Sequence, residues 1–432
     1  MTVRASAGLG GVVVAPGDKS ISHRALMLAG LAVGMSRITG LLESDDIFAT
    51  IAALRQMGPR IERSADGWEV SGVGVGGLLQ PAGALDLGNS GTAARLIAGM
   101  IASHAITATL IGDASLSRRP MDRIIAPLNK MGAEIVAAPG DRLPMTIRGR
   151  CPALPLAYRL PLPSAQVKSA ILFAALNAPG VSRVIEPVPT RDHSEQLLKR
   201  FGADIGFGLS DAGERSIAIA GEADLKPQGI AIPGDASSAA FPLVAALIVP
   251  GSRLTIANVG LSPTRAALFE LLREMGGDIR IEPCLVDGEP IAGLDVRHSA
   301  LSGVELAPAR AASLIDEFPI FFVAAAFAKG RTIVRGVGEL RHKESDRIAA
   351  MAAGLTAIGA RVEELEDSLI IDGSDGEPLA GGAAVSAFGD HRVAMSLAVA
   401  GLHCRKPMII DDVRSVATSY PEFAEMLGRI AW

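Results

Sequence analysis

Four short polar motifs, Lys19-Ser20, Asn89-Ser90-Gly91-Thr92, Ser164-Ala165-Gln166 and His391-Arg392, each open a stretch that is almost wholly apolar. Where such a stretch is helical, its first turn presents unpaired N–H groups and a partial positive charge, which suits an anion. Small residues let the anion approach the backbone, and the adjoining Lys or Arg completes its charge. Ordinary capping by Ser, Thr, Asp and Asn explains the small residues equally well. It leaves the cations unexplained. Arg24, Arg95 and Lys168 fall one or two turns inside apolar stretches, where a cation is costly unless it is paired or holds an anion. Arg118-Arg119-Pro120-Met121 and Thr190-Arg191-Asp192-His193 open more polar stretches, and Lys343 and Arg347 stand four apart, on one face of an expected helix, with Glu344 beside them. Asp316-Glu317 places two carboxylates where the other openings carry Gly and Ser, so it reads either as a cap or as a base near an anion.

Other chemistries fit these residues less well. Gly17-Asp18-Lys19-Ser20 inserts an Asp where a P-loop requires Gly-Lys-Ser or Gly-Lys-Thr. No Gly-x-Ser-x-Gly elbow or Ser-x-x-Lys occurs at the openings, which weakens a serine hydrolase. The seven histidines form no i, i+4 pair, and Cys151, Cys284 and Cys404 are too widely spaced for zinc. No metal is expected. His193 and His391 each follow an Asp and read equally well as structural hydrogen-bonders.

The elements that must position these residues recur along the chain. The six polar openings begin at residues 17, 88, 163, 234, 316 and 389. A second signature runs in step with them, an apolar residue plus Gly closing an amphipathic segment, at Gly58, Gly132, Gly202, Gly276, Gly359 and Gly428. Each unit therefore holds a buried helix, a more polar helix and strands rich in Val and Ile, such as 182–185 and 331–334. A helix apolar on all sides must be surrounded by other elements. Six of them suggest an α/β (α+β) protein with two clusters of three, each a helical core wrapped by sheet and outer helices. Pro16-Gly-Asp18 and Pro233-Gly-Asp235 mark two crossings, near residues 17–19 and 233–236. The expected globules are 19–233, and 1–18 together with 234–432.

Composition bounds the class. The 432 residues are 49% hydrophobic and 20% charged, with 4% aromatics and 48 glycines, so the chain can bury large cores rich in small residues. Its longest apolar runs, 318–328 and 241–251, reach about half the 18–20 residues that a membrane span needs. Residues 1–11 contain no apolar signal core. Three widely spaced cysteines suit a reducing, cytoplasmic setting. A formal net charge of −5 argues against broad binding to nucleic acid or an anionic membrane, although it permits a small basic pocket.

In sequence order, Pro16-Gly-Asp-Lys-Ser-Ile-Ser-His-Arg24, Gly88-Asn-Ser-Gly-Thr-Ala-Ala-Arg95, Arg119-Pro-Met121, Ser164-Ala-Gln166, Asp316-Glu317, Lys343-Glu-Ser-Asp-Arg347 and Asp390-His-Arg392 resemble the signature motifs of the 5-enolpyruvylshikimate-3-phosphate synthase family. The resemblance spans essentially the whole chain. It implies the two-globule enolpyruvyl transferase fold, with three βαβαββ units in each globule, and transfer of the enolpyruvyl group of phosphoenolpyruvate to the 5-hydroxyl of shikimate 3-phosphate. That reaction is a step of the shikimate pathway towards chorismate and the aromatic amino acids, and it uses no cofactor.

Carried over residue by residue, the resemblance assigns Lys19, Asn89, Gly91, Arg119, Gln166, Arg347 and Arg392 to phosphoenolpyruvate. It assigns Lys19, Ser20, Arg24, Ser164, Ala165, Gln166, Arg191, Asp316 and Lys343 to shikimate 3-phosphate. Glu344 is the expected acid and Asp316 the base, with Lys19 near the proton traffic. Closure at the two crossings would expel water. The expected partners are these two small molecules, with no nucleic acid or membrane, and the expected assembly is a monomer.

Ser164-Ala165-Gln166 and Thr190-Arg191-Asp192-His193 resemble the branch of the family called class II. Thr418-Ser419-Tyr420-Pro421 lacks the Lys that many members carry just before this point, and Arg414 and Lys406 are the candidates to replace it. Glyphosate-tolerant members of that branch tend to have Ala at the position of Gly91. The Gly retained here implies at least partial sensitivity to the inhibitor. The rival within the superfamily, a transferase acting on UDP-N-acetylglucosamine, usually carries Cys in its mobile loop, and 115–119 has none. RNA 3′-phosphate cyclases share the repeat but need a nucleotide site and a basic surface. A non-catalytic anion-binding repeat protein is the remaining alternative.

Overall fold

The computed structural model describes residues 1–262, 265–286 and 289–432, with the backbone alone at 284–286 and 289; the Cys284 side chain therefore lies outside the described residues. The chain forms two compact units, Lys19–Ile232 and Met1–Asp18 with Pro233–Trp432. Pro233 falls in the second of these rather than the first, because its carbonyl accepts the Asp18 N–H at 2.8 Å and so ties it to the N-terminal strand segment.

In the unit 19–232, three apolar helices form the centre: α1 (Lys19–Leu31), α3 (Gly91–Ala102) and α4 (Ala165–Ala175). Outside them lie the more polar helices α2 (Asp45–Gln56) and α5 (His193–Arg200). Helices α3 and α4 meet closely at Gly99, where a Cβ would lie 2.3 Å from the Ala170 carbonyl oxygen, so only Gly fits. Three four-stranded sheets of identical plan surround the helices. In the last, Val181–Glu186 pairs in parallel with Ala157–Arg159 and antiparallel with Arg215–Ala220, which then takes Ile205–Leu209. The first sheet borrows its parallel strand, Gly229–Ala231, from the far end of the unit, which closes the three repeats upon themselves.

The other unit repeats this scheme around α6 (Ala236–Ile248), α7 (Phe318–Phe327) and α9 (His391–Gly401), with α8 (Arg347–Ala357) outside. All residues of α6, α7 and α9 are buried, as a helix apolar on all faces must be. Gly10–Val14 supplies the parallel strand beside Arg253–Gly260. The last repeat is incomplete by itself, and the N-terminal Thr2–Val3 completes it antiparallel to Met408–Ile410.

Two expectations about local structure are corrected. Gly58, Gly132, Gly202, Gly276 and Gly359 adopt the left-handed conformation that ends a helix, but Gly428 lies inside the helix Phe423–Ile430, which runs on past it. Lys343 and Arg347 do not share a helix face. Gly338–His342 is a 3-10 turn, Lys343 is extended after it (φ −88°, ψ −153°), and Asp346 caps a new helix beginning at Arg347. No described helix is long and apolar enough to cross a membrane.

Candidate functional site

Four of the six polar openings, and the start of α8, carry side-chain caps. Ser90 accepts the Ala93 N–H, Ser164 that of Val167, Asp235 that of Ser237, Asp346 that of Ala349 and Asp390 that of Arg392. Capping and anion binding are therefore compatible, and the cations beside the caps carry the functional reading.

In the unit 19–232, the openings of α1, α3 and α4 converge. Arg95 donates at 3.1 Å to both the Gly91 carbonyl and Gln166 Oε1, and Gln166 donates on to Thr92 at 2.9 Å. Arg119, largely buried, donates to Asn89 Oδ1 and to Ser115 Oγ, while Asn89 donates to Asp113 at 2.7 Å. Arg24 is 4% exposed and donates to the Ser20 carbonyl, Ser169 Oγ and Ser194 Oγ at 2.7–2.9 Å. Lys19 Nζ is 2.9 Å from Asp46 Oδ2. Arg191 is half-buried on the loop before α5. Lys168 departs from the expectation of an anion-binding cation. It is fully buried, 3.0 Å from Glu186 and 2.8 Å from Glu195, so its charge is already matched within the fold.

The second unit gathers the remaining residues. Arg347 is 1% exposed and holds three carboxylates, Asp390 at 2.8 Å, Glu344 at 2.6 Å and Asp316 at 3.4 Å. Burial opposes its charge, but Asp390, Glu344 and Asp316 outweigh that and raise its pKa above the ordinary arginine value. Arg392 donates to the Asp316 carbonyl at 2.8 Å, and Ser345 to Asp390 at 3.1 Å. The Lys343 ammonium is pushed below its ordinary range by burial, aided by Arg347 and opposed by Asp316 and Glu344. Glu317 accepts from Ser237 instead of capping α7. Arg414 turns to Asp412 at 2.6 Å with its side chain 90% exposed, and Lys406 is exposed on Cys404–Lys406, so neither is held among these groups.

Sequence reasoning missed Asp46, Thr50 and Asp113. Asp45-Asp46 follows Ser44 at a helix start and reads as an ordinary acidic first turn, so nothing marks Asp46 as the partner of Lys19. Thr50 and the buried His23 link the same elements. Thr50 donates to the Asp46 carbonyl at 3.2 Å and must then accept from His23 Nδ1 at 2.8 Å, which puts the proton on Nδ1 and leaves Nε2 facing the Ser90 hydroxyl at 3.4 Å. Burial first, then Lys19 and Arg24, hold the His23 pKa well below 6.5. The unfolded chain therefore takes up this proton first, and stability falls as pH drops below about 6.5, by up to ~1.4 kcal/mol per pH unit. Thermal melts between pH 7.5 and 5.5 are expected to show a shallower decline for His23→Asn than for the wild type. Parallel declines would remove His23 as the cause.

Known proteins share this architecture. The sequence profile of EPSP synthase (3-phosphoshikimate 1-carboxyvinyltransferase) matches residues 3–427. The 3-phosphoshikimate 1-carboxyvinyltransferase of Sphingopyxis alaskensis is 62% identical over 98% of this chain and 96% of its own length. That of Zymomonas mobilis is 57% identical over 98% and 94%. Among solved structures, EPSP synthase from Acinetobacter baumannii superposes with a TM-score of 0.86 at 41% identity, covering 100% of this chain and 98% of that one. The enolpyruvyl transferase NikO from Streptomyces tendae shares the fold, with a TM-score of 0.76 at 18% identity over 99% and 96%. With one family profile and relatives well above half identity spanning nearly its full length, the chain belongs to the EPSP synthase (3-phosphoshikimate 1-carboxyvinyltransferase) family.

Proposed function

We propose that the chain transfers the enolpyruvyl group of phosphoenolpyruvate to the 5-hydroxyl of shikimate 3-phosphate and releases phosphate. Both substrates are multiply charged anions, and the observation that carries the reading is the gathering of cations at capped helix openings in each unit. Lys19, Asn89, Gly91, Arg119, Gln166, Arg347 and Arg392 hold phosphoenolpyruvate. Lys19, Ser20, Arg24, Ser164, Ala165, Gln166 and Arg191, with Asp316 and Lys343, hold shikimate 3-phosphate.

Glu344 delivers a proton to C3 of phosphoenolpyruvate, and the electron-poor C2 is attacked by the 5-hydroxyl as Asp316 takes its proton. The product is a tetrahedral ketal. Return of a C3 proton to Glu344 re-forms the double bond as the C2–O bond to phosphate breaks, and the Asp316 proton leaves with the phosphate. Lys19 lies beside this proton traffic. Guanidinium forks fixed in advance stabilise the charge of the departing phosphate, and loss of one such donor costs about 3–4 kcal/mol in the transition state. The protein works as a monomer without metal or organic cofactor.

Phosphate release tests the reading. Phosphoenolpyruvate with shikimate 3-phosphate should give stoichiometric phosphate, whereas UDP-N-acetylglucosamine as acceptor should give none. The opposite pattern would transfer the chain to the rival activity.

Gly91 gives a sharper test of the phosphoenolpyruvate assignment. A Cβ there would lie 2.7 Å from Arg95 Nη1 and 3.0 Å from Arg119 Nη1, so Gly91→Ala must push both guanidinium groups aside. The KM for phosphoenolpyruvate is expected to rise about tenfold, equivalent to ~1.4 kcal/mol, with that for shikimate 3-phosphate unchanged. Glyphosate should inhibit the wild type and act more weakly on the variant. A wild-type inhibition curve flat into the millimolar range would refute the sensitivity.

A further inference from the structure

Lys168, Glu186 and Glu195 are all fully buried, and the Lys168 ammonium touches both carboxylates. Arg215 reaches the same two groups at 3.5 and 3.4 Å, so two cations face two carboxylates inside the unit 19–232. Packing alone does not call for this arrangement, since apolar side chains of similar volume are often as stabilising as a buried ion network or more so. Its attachments suggest another role.

On one side, Glu186 Oε1 accepts both the N–H of Thr190, at 3.3 Å, and its hydroxyl, while Arg215 donates to the Thr190 carbonyl at 3.4 Å. Thr190 immediately precedes Arg191, so the network holds the loop that carries this cation. On the other side, the backbone N–H of Lys168 bonds the Ser164 carbonyl at 3.1 Å, in the first turn of α4. Ser194, next to Glu195, bridges Ser169 at 2.6 Å and Arg24 at 2.7 Å. Arg24, Ser164 and Arg191, three of the proposed ligands of shikimate 3-phosphate, are therefore each a short link from the same four charges. Burial pushes the Glu195 carboxyl above its ordinary range, with Lys168 opposing.

We propose that the Lys168–Glu186–Glu195–Arg215 network is a positioning device for the phosphorylated acceptor, which sets Arg191 against the Ser164–Gln166 helix start. Lys168 is its hub and touches no substrate. The proposal rests on the functional reading above. It distinguishes the two substrates, because the phosphoenolpyruvate contacts at Asn89, Gly91 and Arg119 hang on Asp113 and Arg95, and the shared ligands Gln166 and Lys19 are held by Arg95 and Asp46, outside this network.

Steady-state kinetics with each substrate varied in turn test it on three variants. Lys168→Met removes the hub. Lys168→Met with Glu195→Gln removes one charge of each sign and leaves Arg215 facing Glu186. Thr190→Val cuts only the hydroxyl link to the loop. The double variant should fold, by circular dichroism and thermal melting, with a KM for shikimate 3-phosphate about 10–30-fold higher, a KM for phosphoenolpyruvate within about twofold of wild type, and kcat within about threefold. Such a rise is the size expected for one or two lost polar contacts. Thr190→Val should raise the same KM about three- to tenfold without shifting the melting temperature.

A folded double variant with an unchanged KM for shikimate 3-phosphate would overturn the proposal, as would equal rises for both substrates. If neither Lys168 variant folds, Thr190→Val decides alone, with an unchanged KM refuting the positioning role. Wild-type protein that releases no phosphate would instead sink the functional reading.

Discussion

Arg347→Met is expected to lower the melting temperature of the protein by about 6–20 °C and to abolish measurable saturation by phosphoenolpyruvate. The guanidinium is 1% exposed and shared among Asp390, Glu344 and Asp316. Methionine fills most of its volume but leaves Asp390, itself fully buried, facing other carboxylates without their common cation. Breaking a buried pair by removing one partner costs about 3–5 kcal/mol. In a unit of roughly 200 residues each kcal/mol moves the melting point by about 2–4 °C. Arg347→Lys should recover part of the stability and little of the binding, because an ammonium supplies charge without the planar fork. A melting temperature within about 2 °C of wild type for Arg347→Met would contradict the central place given to this residue.

Glu344→Gln should leave the fold intact and reduce kcat by a factor of about 10²–10⁴, the usual contribution of a positioned acid or base. The amide keeps an oxygen to accept from Arg347 Nη2, now 2.6 Å from the carboxylate, so local geometry survives while the transferable proton is lost. KM values for both substrates should change by less than about threefold, because the role assigned to Glu344 belongs to the transition state. Stopped-flow phosphate release separates this from slow product departure. Unaltered turnover would remove Glu344 from the chemistry.

Much of the architecture was legible in the repeated pairing of a polar opening with an apolar helix. Repetition protects such a reading from local accidents, and the openings at residues 17, 88, 163, 234, 316 and 389 all precede helices in the structure. Readings that depended on helical phase or on long-range pairing were less secure. Lys343 and Arg347 look like neighbours at a spacing of four, but the phase breaks at Ser345-Asp346, where a cap restarts the helix. Lys168 carries the same local signature as Arg24, a cation just inside an apolar helix. Its meaning depends on Glu186 and Glu195, which come from a strand and a second helix and converge only in the fold. Asp46 was hidden for the opposite reason, since an acidic residue in a first helical turn needs no special explanation.

The most direct test of the proposed reaction uses phosphoenolpyruvate labelled with ¹⁸O in the oxygen that bridges C2 and phosphorus. It is incubated with the protein and shikimate 3-phosphate and followed by ³¹P NMR. Collapse of a ketal at C2 breaks the carbon–oxygen bond, so the label should leave with inorganic phosphate and shift its resonance, one labelled phosphate for each enolpyruvyl group transferred. Unlabelled phosphate would mean that the phosphorus–oxygen bond breaks instead, and no phosphate at all would mean that this pair of anions is not the substrate; either result contradicts the mechanism proposed for these residues.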